Sequence, residues 1–172
     1  MHGPILKENL EHYINKYDIW SSYKPEDDGV LIAYASIHGN TANAAKELVK
    51  ILEEKGAKKV VITDLARDDF HEAIEDAFRY DKVIFAASSY NFEVFPPMAN
   101  FLNQLKSKNY QNRKVGIIEN GTWAPSAAKC MKEIIEGMKD IKICEPVVTI
   151  KSTLNEESRE KLQLLASNIL KY

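Results

Sequence analysis

Five short apolar runs punctuate the chain, at residues 30–35 (VLIAYA), 60–65 (VVITDL), 83–88 (VIFAAS), 115–118 (VGII) and 147–150 (VVTI). At 41–55, 70–80, 97–107, 125–138 and 155–171 the apolar residues return with helical spacing instead. A run that is apolar at successive positions buries both faces of a strand, so the pattern predicts a parallel sheet covered by helices on either side. This is a βα unit repeated five times, and right-handed crossovers leave few ways to wind it. Helix punctuation agrees: Gly56 follows the first of these helices, Asp68 and Asp69 precede the second, and Pro125 is expected to open the fourth. Phe95, Leu102, Leu105, Ile134, Met138 and Leu165 are spaced as core residues. Upstream, Leu6, Leu10, Tyr13, Ile14 and Tyr17 mark an amphipathic helix with Pro4 near its first position. Residues 20–29 (WSSYKPEDDG) lose the period and read as a connector. The expected organisation is an N-terminal helix and connector over residues 1–28, then one α/β domain over 29–172.

Bulk composition narrows the function. The 172 residues suffice for one domain with a substantial core. With 28% charged residues, 45% hydrophobic ones and a net charge of −2, the chain offers no polyanion-binding surface, so nucleic acid is not an expected partner. No apolar run approaches the ~20 residues of a membrane span, and the start MHGPILKENLEHY lacks a signal peptide's apolar core, so no membrane is expected and the cytoplasm is the default location. Cys130 and Cys144 have no CxxC or histidine-rich companion and read as reduced packing residues. Asp27, Asp28, Glu53 and Glu54 read as solvated surface.

In a doubly wound sheet, ligands bind outside the carboxyl ends of the strands. Three of the loops there are unusual: Ser36-Ile37-His38-Gly39-Asn40-Thr41, then Ser88-Ser89-Tyr90-Asn91-Phe92-Glu93 running on to Pro97, and Glu119-Asn120-Gly121-Thr122-Trp123-Ala124-Pro125. The loop after the second run, Ala66 to Asp69, is ordinary. With strand order 2-1-3-4-5 the three unusual loops meet at one crevice; in the 3-2-1-4-5-6 order they would not, and the former is the expected topology. Neither GxGxxG nor GK[ST] follows the first strand, which sets aside dinucleotide and P-loop sites. Serines end the first and third strands where a phospho-acceptor receiver needs acids, and no cysteine stands where a thiolate phosphatase needs one. Ser36 and Thr41 supply hydroxyls and Gly39 a tight turn at a helix N-terminus, which suits a phosphate monoester. Tyr90, Phe92 and Trp123 suit a flat ring. Flavin mononucleotide (FMN) has both parts.

Ser36-x-x-Gly39-Asn40-Thr41 resembles the phosphate loop of flavodoxins. Tyr90-Asn91 with Phe95-Pro96-Pro97, and above all Glu119-Asn120-Gly121-Thr122-Trp123-Ala124-Pro125, resemble the flavodoxin domain at the carboxyl end of flavodiiron proteins, the A-type flavoproteins. The resemblance runs from His2 to the end of the chain. It implies one FMN held by Ser36, Ile37, His38, Gly39, Asn40, Thr41, Ser88, Ser89, Tyr90, Asn91, Phe92, Glu93, Asn120, Gly121, Thr122, Trp123 and Ala124, with no catalytic base and no metal ligand. Glu93 stands where the family frequently has a glycine, so backbone freedom beside the ring is expected to be reduced. A carboxylate there is also expected to lower the flavin's potential by Coulomb repulsion. HGPI, His2 to Ile5, resembles the junction at which the family's metallo-β-lactamase-like domain delivers its last iron ligand, but the other ligands have no counterpart.

What the resemblance implies is an electron-transfer domain whose redox partner is a diiron domain, in trans or in an intact homologue, that reduces dioxygen or nitric oxide. A rubredoxin-like or other protein would donate the electrons, and a homodimer is compatible with the family. Oxidoreductase activity belongs to the intact system and not to this chain alone. Two alternatives stay open at this point: a flavodoxin-fold NAD(P)H or quinone reductase, and an interaction module without cofactor.

Overall fold

Apolar runs covered on both faces become the inner strands, while the run at 60–65, only partly covered, becomes an edge strand. In the computed structural model, which describes residue 3 and residues 5–171, these strands are β1 (Asp27–Ala35), β2 (Val60–Asp64), β3 (Tyr80–Tyr90) and β5 (Arg113–Asn120). They lie parallel in the order β2-β1-β3-β5. A two-residue strand, β4 (Glu93–Val94), folds back antiparallel on β3. An additional strand, β6 (Ile141–Ile143), pairs with Arg113–Val115 at the start of β5, and the expected fifth strand, β7 (Val148–Ile150), pairs with Ile118–Asn120 at its end. The order is thus the expected one, with an additional edge strand and a short hairpin. A three-residue alternation such as Ile141-Lys142-Ile143 is too short to stand out as a strand in the sequence.

Successive strand residues face opposite layers. Leu31, Ala33, Val83, Phe85, Val115 and Ile117 pack on one side with α3 (Phe70–Arg79), α4 (Pro96–Ser107) and α5 (Ala127–Ile135). Val30, Ile32, Ile84, Ala86 and Ile118 pack on the other with α2 (Asn40–Glu54) and α6 (Glu156–Leu170). Leu102, Leu105 and Leu165 are fully buried and Phe95, Ile134 and Met138 partly so, in line with their spacing. The helix expected to open at Pro125 opens at Ala127 instead, with Ser126 at its N-cap position. Cys130 and Cys144 are free thiols. Among the described residues, no helix is long and apolar enough to cross a membrane, and no group of three or more His, Cys, Asp or Glu side chains could hold a metal ion.

The N-terminal helix, α1 (Leu10–Ser21), buries none of its residues. It starts later than its period suggests, and His2 and Pro4 lie outside the described residues. Its attachments are polar: Lys16 and the Trp20 indole both donate to the Glu26 carboxylate. Behind it, Arg113 is buried and donates to five carbonyl oxygens, those of Tyr23, Phe78, Tyr80, Gln111 and Asn112. This guanidinium fastens the connector and the end of α3 to the start of β5. At the same end of the sheet, Asp27 pairs with Arg79, and Asp28 with Lys58 and the buried Lys82. The two aspartates are therefore ion-paired, not merely solvated.

Candidate functional site

The carboxyl ends of β1, β3 and β5 open on a crevice of about 220 Å³ lined by Ile37, His38, Asn40, Thr41, Ser88, Ser89, Asn120, Gly121, Thr122 and Ser152. A larger cavity, about 570 Å³, sits beside β6 and the end of α6 and takes nothing from these loops.

The first wall is the turn into α2. The Ser36 hydroxyl accepts the Gly39 N–H at 3.1 Å, and Gly39 adopts φ +88° with nothing within 4 Å of where a Cβ would stand. Intrahelical bonding starts only with the Asn43 N–H on the Gly39 carbonyl, so the N–H groups of Asn40, Thr41 and Ala42 lie ahead of it. This helix has no side-chain cap and no acid in its first turn. At α3 and α6 the chain closes such ends itself: Asp69 accepts from His71 and Glu72, and Asn155 caps α6. An open helix N-terminus with its positive dipole end facing a polar crevice suits an anion. Thr41 is buried, and its hydroxyl lies 2.9 Å from that of Ser88 at the end of β3. One of the pair donates to the other, which leaves one free proton; Ser36, an acceptor for Gly39, keeps its own. Two hydroxyl donors therefore remain for a phosphate.

The β3–β4 hairpin forms the second wall. Tyr90 pairs with Glu93, so Asn91 and Phe92 form the two-residue turn, at φ +50° and +61°. The left-handed positions are thus 91 and 92, which corrects the expectation of reduced backbone freedom at Glu93: that residue is an extended strand residue with no need of glycine. Its side chain is exposed, where water screens the charge expected to act on the flavin. Ser89 turns away to accept the Ser126 and Ala127 N–H groups at 2.9 and 3.2 Å, closing the start of α5.

The third wall is the loop after β5. Glu119, buried, accepts the Ala128 N–H at 2.9 Å and the Thr149 hydroxyl at 2.8 Å, and so ties the strand to α5 and β7. At Gly121 a Cβ would stand 2.9 Å from the Ser89 hydroxyl and 3.0 Å from Pro125 Cα, so this loop and the hairpin can approach only over a glycine. Trp123 is 98% exposed, Phe92 83% and Tyr90 51%; with His38, Asn91, Thr122 and Ala124 they make an open rim. The inner crevice is smaller than a pocket that encloses a whole ligand. It fits a phosphate and a polyol inside and a ring laid on the rim. Ser152, from the turn after β7, was not foreseen. The strand-end rule pointed to it, but Lys151-Ser152-Thr153 reads as an ordinary turn.

The flavodoxin domain profile matches residues 31–166, and the chain belongs to that family. FMN is the cofactor this membership implies. Among solved structures, the flavo di-iron protein of Thermotoga maritima, in a point-mutant form, is 26% identical with a TM-score of 0.82 over 98% of this chain and 42% of its own. The rubredoxin oxygen:oxidoreductase of Desulfovibrio gigas shares the fold at 21% identity, TM-score 0.85, over 93% of this chain and 39% of its own. Oxidised flavodoxin 1 of Bacillus cereus, at 16% identity and TM-score 0.71, matches 84% of this chain and 99% of its own. The anaerobic nitric oxide reductase flavorubredoxin of Aeromonas hydrophila is 25% identical over 127 residues, 73% of this chain and 26% of the relative. The chain spans about a quarter of the curated relatives it matches. It is a flavodoxin-like domain, and its likeness is to those of flavodiiron proteins.

Proposed function

We propose that the chain is a one-flavin electron-transfer module that passes electrons to a diiron site carried by another domain or protein, with dioxygen or nitric oxide as the final acceptor. Residues 1–28 act as a helical appendage and 29–172 as the cofactor domain. The observation that carries this reading is the uncapped α2 N-terminus facing a hydroxyl-lined crevice with exposed aromatic side chains on its rim. Bound FMN supplies the redox chemistry, and the protein supplies binding, orientation and electrostatics. The Asn40, Thr41 and Ala42 N–H groups and the Ser36 hydroxyl bind the phosphate, while the Thr41–Ser88 pair adds the second hydroxyl proton. Tyr90 and Trp123 flank the ring. No residue has to move a proton for binding, and the open rim leaves a ring edge accessible to a redox partner.

Titration calorimetry with FMN and riboflavin tests the reading. FMN should bind one to one and at least tenfold more tightly than riboflavin, which lacks the phosphate. Thr41→Ala should remove roughly tenfold of the FMN affinity, the worth of one hydrogen bond to a charged group, and little of riboflavin's. No uptake of flavin after reconstitution with excess cofactor rejects the reading; equal affinity for the two ligands rejects the phosphate site.

A further inference from the structure

The crevice has a fourth wall beyond the three loops. β7 lies against the end of β5, with Ile150 opposite Asn120, and the chain then turns before Asn155 caps α6. That turn is held from β5. The buried Asn120 gives both halves of its amide to one residue: Nδ2 donates to the Ser152 carbonyl at 2.9 Å, and Oδ1 accepts the Ser152 N–H at 3.2 Å. The Gly121 N–H adds a bond to the Ile150 carbonyl at 3.0 Å. Ser152 itself is left-handed, at φ +70°, a conformation that persists in a non-glycine residue only where its surroundings enforce it. The result is a serine on the crevice wall beside Thr122, its hydroxyl without a hydrogen bond to any described residue.

We infer that Ser152 is a ligand of the flavin's sugar-alcohol chain and that Asn120 is a positioning residue acting through it. The inference rests on the flavin reading above. Phosphate does not match Ser152, because the open helix end lies after β1, and β3 and β5 stand between β1 and β7. Neither does the ring, whose aromatic partners Tyr90 and Trp123 are on the exposed rim. Between these two, the crevice is lined by Thr122 and Ser152. A polyol's hydroxyls both donate and accept, and a serine hydroxyl answers either way. With one amide hydrogen and its carbonyl oxygen both engaged by the Ser152 backbone, Asn120 acts by holding that serine in place.

Three ligands separate the parts: FMN, riboflavin (chain without phosphate) and lumiflavin (ring without either). In calorimetry, Ser152→Ala should weaken FMN and riboflavin alike, by about fivefold as for one neutral hydrogen bond, and leave lumiflavin unchanged. Asn120→Ala should give the same pattern, and the double variant should lose no more than Asn120→Ala alone. Ser152 is exposed, so its variant folds, and it decides the matter even if Asn120→Ala does not. A loss confined to FMN, a loss shared by all three ligands, or no loss overturns the inference. A parent protein that takes up no flavin overturns the flavin reading and this inference together, whereas a parent that binds FMN with Ser152→Ala unchanged overturns this inference alone.

Discussion

At the scale of single residues, the two ends of β1 and β3 differ in chemistry. The hydroxyls of Ser36, Thr41 and Ser88 gather at their carboxyl ends, and the ion pairs of Asp27, Asp28 and Lys82 at their starts. Asp28 shows what the latter contribute. Hydrogen bonds from Lys58, foremost, and Lys82 hold its carboxyl down to about 2 from an ordinary 3.8. A folded-state value below the unfolded one means stability that is present above about pH 4 and lost as pH falls through about 2. The side chain is half exposed, so solvent screening limits the gain to about 1 kcal/mol. Asp28→Asn should therefore be less stable than the parent at pH 6, and the gap should close between pH 4 and pH 2 in urea titrations. A gap of constant size across that range would assign the loss to shape and not to charge.

Elements show where local preference and tertiary demand disagree. The β3–β4 turn places an aromatic residue, Phe92, in the left-handed region, at a cost of about 1–2 kcal/mol. Two-residue hairpins of this kind prefer Asn-Gly. Phe92→Gly should stabilise the protein by about 0.5–1 kcal/mol, once the extra freedom of glycine in the unfolded chain is set against the relief. Glu93→Gly should instead destabilise it by about the same amount, because glycine weakens a strand position. Chemical denaturation of the two variants reads both signs; stabilisation by Glu93→Gly would mean that the turn lies one residue later. The loop after β5 is the opposite case. Glu119 looked like part of a cofactor motif, yet its carboxylate is committed to Ala128 and Thr149, so the motif holds at least one residue for anchoring the loop.

For the molecule as a whole, the inner strands were legible because burial on both faces leaves an uninterrupted apolar run. At the edge only half was: β7 falls in the apolar run at 147–150, whereas β6 is three residues long and partly exposed, so it carries little pattern. The crevice was legible as a set of loops, since topology alone brings strand ends together. What those loops bond to was not, because Thr41 with Ser88 and Asn120 with Ser152 are pairings across long stretches of chain. The same holds for α1, whose apolar period was plain and whose lack of a covering surface was not.

That uncovered helix implies two clocks in one chain. A twelve-residue helix that buries nothing has little to hold it beyond its own hydrogen bonds and the contacts to Glu26, and short helices alone are marginal in water. Its amides should exchange with deuterium within seconds to minutes, by local fraying, while those of β1, β3 and β5 wait for global opening. Mass spectrometry of peptides from residues 10–21 and 80–90 would show the divide. Equal protection of the two would mean that some surface, in solution, already covers Leu10, Ile14 and Tyr17.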